Sequence, residues 1–132
     1  MSSLILAVDN LFKRYGKLIA VDQVCFTVNR KEIFGILGPN GAGKTSTIEM
    51  IETLRPIDGG TVVLDGLDVK KHAYQIKQRI GVQLQSAAFF DKLNLTELLY
   101  LFGDLYGQIV DPQKLLEEVD LAERSKAQIL EL

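Results

Sequence analysis

The 132-residue sequence has no tryptophan, one cysteine, one histidine and only three prolines. A single thiol, Cys25, excludes an intrachain disulfide framework and a multi-cysteine zinc site, and a single imidazole, His72, excludes any site built on two. So little cysteine fits a reducing compartment. No apolar run approaches the roughly 20 residues of a membrane-spanning helix. The longest runs, such as Leu4–Val8 and Ile33–Leu37, are strand-sized. Met1-Ser2-Ser3 lacks the charged region that opens a secretory signal. No block of one charge sign occurs, and 15 Lys+Arg against 17 Asp+Glu leave a net charge of -2. That balance gives no general pull toward nucleic acid or anionic lipid. What is present is ordinary: 47% apolar and 24% charged residues describe a globular chain of one domain at most.

Local pattern divides the chain in two. Residues 1–88 read as strand-rich, with strands at Leu4–Val8, Val24–Val28, Thr61–Leu64 and Ile80–Leu84. Ile33–Leu37 is apolar without alternation, as in a strand buried on both faces. A helix is expected from about Lys44 to Leu54, stopped by Pro56 and Asp58-Gly59-Gly60. Lys70–Arg79 reads as a polar helix and Asp65-Gly66 as a hairpin turn. Beyond Asp91 the period becomes helical. Leu95, Leu98, Leu99, Phe102, Leu105 and Tyr106 form a stripe expected in a core, with Asn94 and Glu97 as a capping box and Gly107 as a stop. Asp111-Pro112 opens a further helix. Cys25 is expected as a small buried hydrophobe and His72 as a surface residue.

One motif carries chemistry. Gly38-Pro39-Asn40-Gly41-Ala42-Gly43-Lys44-Thr45 fits G-x-x-x-x-G-K-[ST], between an apolar run and a helical pattern. Its glycines let successive N–H groups turn inward onto phosphate oxygens, and the following helix adds its positive end. Lys44 can set an ammonium on the β- and γ-phosphates, Thr45 a hydroxyl on Mg²⁺, and Ser46 a hydroxyl on the α-phosphate. The alternative is a glycine-rich helix entry that binds nothing. A dinucleotide fingerprint fits less well, because the glycines run G-x-x-G-x-G and a Lys-Thr pair follows.

From residue 4 onward the chain resembles the ATP-binding subunit of ABC transporters. Its wording is most similar to the subunits of ABC-2-type, drug-efflux-like exporters. Tyr15, in Lys13-Arg14-Tyr15-Gly16, matches the aromatic residue that stacks on adenine in that family, and Gly38–Ser46 matches its Walker A loop. Arg55-Pro56, Asp58-Gly59-Gly60 and Val63-Leu64-Asp65-Gly66 match the stretch that follows the first helix. Gln85, in Ile80-Gly81-Val82-Gln83-Leu84-Gln85, matches the Q-loop glutamine, which the resemblance places on Mg²⁺ and the attacking water. The implied fold is an α/β P-loop NTPase (RecA-like) core with an antiparallel β subdomain (1–88) and the start of a helical subdomain (89–132). The implied cofactors are ATP and Mg²⁺, with Lys44 and Gln85 catalytic and Thr45 and Gln85 on the metal. The implied partners are transmembrane permease subunits and a second nucleotide-binding domain, with no nucleic acid. The implied location is the cytoplasmic face of a membrane, reached through the permease.

In that family the signature, the Walker B strand with its glutamate and the switch histidine come after the point where these 132 residues stop. The sequence therefore reads as a first half, expected to bind nucleotide weakly and to hydrolyse it negligibly by itself. Val62-Val63-Leu64-Asp65 looks like a Walker B strand, but Gly66 stands where a glutamate should follow, and a hairpin is the preferred reading. Phe89 and Phe90 fit core packing and a membrane-partner surface equally well. Two rivals remain. A small P-loop kinase would need an arginine-rich lid, whereas Arg14, Arg30, Arg55, Arg79 and Arg124 are scattered. A non-transport ABC protein would act on ribosome or DNA, which the balanced charge disfavours.

Overall fold

Strand β1 (Leu4–Tyr15) is paired on both sides, and the first part of the molecule is built on it. It turns at Gly16-Lys17 into β2 (Leu18–Asn29) and lies on its other side against β3 (Gly59–Leu64), which turns at Asp65-Gly66 into the short β4 (Leu67–Asp68). All pairs are antiparallel, in the order β2-β1-β3-β4. Helix α1 (Lys44–Ile51) and the short α2 (Ala73–Lys77) complete this unit, which ends at Val82. A second unit begins at Gln83 and contains α3 (Leu95–Leu105) and α4 (Pro112–Glu118). The computed structural model describes residues 3–84, 90 and 92–129.

The long hairpin β1–β2 exceeds the two five-residue strands expected there, and the reason is a bulge. The register shifts after Val8 on the β2 side and after Asp9 on the β3 side, with Asn10 at φ 47°. The extra residue resets the alternation, so Val8, Leu11 and Lys13 are all buried although Val8 and Leu11 lie three apart. A period-2 template breaks at that point. Val8, Leu11, Val21 and Val62 from the sheet meet Met50 of α1, Val69 and Ile76 in one core. Each fully buried aliphatic side chain there contributes about 1.5–3 kcal/mol.

Two expected strands do not form. Residues 32–39 carry no strand, and Ile33 and Leu37 are 101% and 95% exposed. Residues 80–84 carry none either, with Val82 and Leu84 exposed. A strand buried on both faces needs neighbours on both edges, and the four described strands form a sheet that includes neither run. The Leu95–Tyr106 stripe is likewise only partly buried: Leu95 is enclosed, while Phe102, Leu105 and Tyr106 are exposed. Cys25 is exposed rather than buried, its Sγ accepting from the Asn10 amide at 3.1 Å. The polar helix shrinks to α2, with His72 exposed at its N-cap.

Helices α1, α3 and α4 end in the same way. Backbone N–H groups donate to carbonyls from Leu54 to Glu49 and Thr53 to Met50, from Gln108 to Gly103 and Gly107 to Asp104, and from Leu121 to Leu116 and Asp120 to Glu117, making three Schellman motifs. Their left-handed residues are Thr53 (φ 64°), Gly107 (φ 62°) and Asp120 (φ 58°). A β-branched residue is strained there, and the Thr53 hydroxyl is buried without a hydrogen-bond partner among the described residues. Thr53→Gly should therefore stabilise the first unit by about 1 kcal/mol, read as a higher urea midpoint at unchanged slope.

Asp65 holds the hairpin turn to its surroundings. Its carboxylate accepts from Arg30 at 2.5 Å and from Arg79 at 2.7 Å. Those two guanidinium hydrogen bonds hold its carboxyl below the usual carboxylate range. A depressed folded value contributes stability that is complete above the unfolded value of about 3.9 and is lost as pH falls from there through the folded value. The stability gap between the parent chain and Asp65→Asn should therefore be constant above about pH 5 and shrink below about pH 4. A gap independent of pH would assign the effect to packing instead.

Candidate nucleotide-binding site

The site starts from β2. After that strand the chain returns along it, and Phe34 stacks on Phe26 with ring centroids 5.1 Å apart and planes 7° from parallel. The glycine-rich turn 38–43 follows and enters α1 through Gly43, the N-cap, at φ 87°. A Cβ on Gly43 would lie 2.1 Å from the Ala20 carbonyl oxygen of β2, so only glycine can bring the loop this close. The first turn of α1 is tied to the same residue. The Thr47 amide and hydroxyl both donate to the Gly43 carbonyl, at 2.9 and 2.8 Å. Buried Met50, one turn further on, anchors the helix in the core.

The sequence-predicted residues lie around this helix start. The Lys44 ammonium turns back into the loop and donates to the carbonyls of Gly38 and Pro39. Gly41 is left-handed, and the Ala42 amide closes on Pro39 at 3.2 Å. A cation facing a ring of backbone groups at a helix N-terminus suits an anion, whose oxygens can replace the two carbonyls around Lys44. Thr45 is exposed in the first turn, offering the hard oxygen that Mg²⁺ prefers. Tyr15, at the end of β1, sets its hydroxyl 3.1 Å from Ser46 Oγ. The structure thus brings Tyr15 to the loop from 31 residues away. Gln85 and Phe89 lie outside the described residues, and Phe90 is exposed.

Two cations beside Tyr15 were not singled out from the sequence. Lys13 Nζ and Arg55 Cζ each lie 5.4 Å from the centre of its ring. Lys13 had a signal, its i, i+2 spacing from Tyr15 on one face of β1. It is buried, donating to the Pro56 carbonyl at 2.8 Å and to Asp58 at 3.2 Å. The Arg14 amide and the Lys13 ammonium together hold the Asp58 carboxyl below its ordinary range. Arg55 had no signal in spacing, because the turn after α1 brings it back. Val62–Asp65 forms a hairpin ending in Asp65 and Gly66, both at positive φ, a type I′ turn.

A protein-family model described as ABC transporter matches residues 21–131. The chain belongs to this family. It is 39% identical over 94% of its length to the linearmycin resistance ATP-binding protein LnrL of Bacillus subtilis (strain 168). It is 41% identical over 80% of its length to the Nod factor export ATP-binding protein I of Ralstonia nicotianae. A solved ATP-binding subunit of an ABC transporter superposes on 97% of the chain with a TM-score of 0.83 at 25% identity. The chain spans 42% and 33% of the two relatives' lengths and 55% of the solved chain. Its curated relatives thus include ATP-binding proteins named for drug resistance and for export, and its solved neighbours are ATP-binding cassettes.

The loop geometry separates its glycines. Gly41→Ala and Gly43→Ala both force a left-handed alanine, a strain of about 1–2 kcal/mol. Among the described residues no atom beyond the chain neighbours lies within 4 Å of the Cβ position at Gly41, whereas at Gly43 it meets backbone. Gly43→Ala should therefore lower the urea midpoint clearly more than Gly41→Ala. Equal losses would mean that the approach to Ala20 is not what fixes the loop.

Proposed function

We propose that this chain binds Mg-ATP as the nucleotide-holding part of an ABC transporter ATP-binding subunit. The observation that carries this reading is the Lys44 ammonium turned into a glycine loop at the start of α1, with Tyr15 touching Ser46 beside it. The loop amides and Lys44 would hold the β- and γ-phosphates, Ser46 the α-phosphate, and Tyr15 the base by stacking. Thr45 and Gln85 are the residues proposed to hold Mg²⁺, which supplies charge neutralisation on the transferring phosphoryl group when bound. The residues' own part is positioning and electrostatic stabilisation.

In the whole assembly, hydrolysis would drive a transmembrane permease, with a second nucleotide-binding domain completing each site. No described helix is long and apolar enough to cross a membrane, so attachment to the cytoplasmic face would come through the permease. The reading assigns no general base to these 132 residues, and they are proposed to bind nucleotide without turning it over. A kinase reading gains nothing from three of the five arginines: Arg30 and Arg79 are paired with Asp65, and Arg55 with Glu49.

The test is a calorimetric titration of the chain with Mg-ATP beside Lys44→Ala, with phosphate release assayed in the same samples. The parent chain should bind, Lys44→Ala should bind at least about tenfold more weakly, and phosphate release should be the same for both. Binding that is indifferent to Lys44 would remove the loop from the reading. Release well above the Lys44→Ala level would refute the lack of turnover.

A further inference from the structure

Arg55 is held more firmly than a surface arginine requires. Its amide and that of Leu54 both donate to the Glu49 carbonyl, at 3.1 and 2.9 Å. Its Nε donates to the Glu49 carboxylate at 2.5 Å. One residue of α1 thus grips Arg55 by backbone and side chain together. The grip depends on the chain reversing at Thr53, a left-handed β-branched residue whose buried hydroxyl has no hydrogen-bond partner among the described residues. Strain of this kind persists where the surroundings over-determine a conformation.

The reversal delivers the guanidinium to Tyr15, within the roughly 6 Å over which a cation and an aromatic ring attract. The other cation at that ring, Lys13, is buried, neutralised by Asp58 and hydrogen-bonded to the Pro56 carbonyl, so it belongs to the sheet. Arg55 is 39% exposed at its side chain and can share its surface with a ligand. The ring is then fixed at two points: its hydroxyl at Ser46 in the first turn of α1, and its π-system by a guanidinium tied to the second turn.

We propose that Arg55, anchored by Glu49, is a positioning residue that sets the ring of Tyr15 for a stacked purine and so controls affinity for the base half of the nucleotide rather than its phosphates. The proposal rests on the nucleotide reading above. A guanidinium against a ring restricts its tilt, and a ring already oriented loses less freedom when a base stacks on it. The Arg55–Glu49 pair is close to neutral as a unit, so it adds little to the attraction of a triphosphate at a distance.

The experiment compares Mg-ATP with magnesium tripolyphosphate, which keeps the phosphates and lacks the base. Both are titrated into the parent chain, Arg55→Ala, Arg55→Lys, Glu49→Gln and Lys44→Ala, with the unfolding midpoint of each recorded. Arg55→Ala should weaken Mg-ATP about threefold to tenfold and leave tripolyphosphate unchanged. Arg55→Lys should recover part of the loss. Glu49→Gln, which loosens the arginine without removing it, should show a smaller loss of the same base-selective kind, and it stands in should Arg55→Ala not fold. ATP and tripolyphosphate weakening together would show a charge or folding effect and overturn the proposal, as would ATP affinity indifferent to both positions. A parent chain that binds neither ligand, or whose binding is indifferent to Lys44, would refute the nucleotide reading itself and this inference with it.

Discussion

The approach of Gly43 to the Ala20 carbonyl joins sheet and loop into one structure. Without it α1 would start some distance from β2, and neither Lys44 nor Ser46 would have a fixed relation to Tyr15. A side chain at residue 43 is excluded by backbone, and backbone cannot step aside as a flexible side chain can. Everything placed on α1 inherits that contact. Thr47 locks onto the Gly43 carbonyl, and Met50 carries the helix into the core of Val8, Leu11, Val21 and Val62.

Helix α1 then acts as a ruler, rising about 1.5 Å per residue. Lys44 and Ser46 stand in its first turn, Glu49 in its second, and Arg55 returns along its side. The β1–β2 hairpin brings Tyr15 to the same helix from the other direction. The bulge at Asn10 matters here, because it resets the alternation so that Leu11 and Lys13 turn inward while the strand continues to Tyr15. A strand in strict register from Val8 would present its last residues on the opposite face.

The loop and its helix were legible because their chemistry fixes residue types at fixed offsets: glycine where a Cβ cannot fit, lysine and threonine where the helix begins. Capping was legible for the same local reason, and Asn94 with Glu97 makes both bonds of its box. Strand pairing is a tertiary matter and was less so. Ile33–Leu37 has the composition of a doubly buried strand, yet no described strand pairs with it. The bulge and the further register shifts hid more than half of the hairpin from a period-2 template. Arg55 was invisible as a partner of Tyr15 because a left-handed threonine, which no propensity favours, turns the chain back.

The loop is held at a few discrete points. Toward β2 it is fixed by the Gly43–Ala20 approach, the Phe26–Phe34 stack and buried Thr47. A hollow of about 290 Å³ remains between β2 and the loop, reached by Val24 and Phe26 on one side and by Ala42, Lys44 and Thr47 on the other. Backbone held at a few points around a hollow is less stable local structure than the sheet behind it. On the proposed reading, an anion that bridges loop amides and Lys44 would stabilise the loop conformation it binds, by an amount that grows with the logarithm of its concentration over its dissociation constant. On the proposed nucleotide reading, the sheet would set where the phosphates go, and the phosphates would complete the order of the loop that receives them.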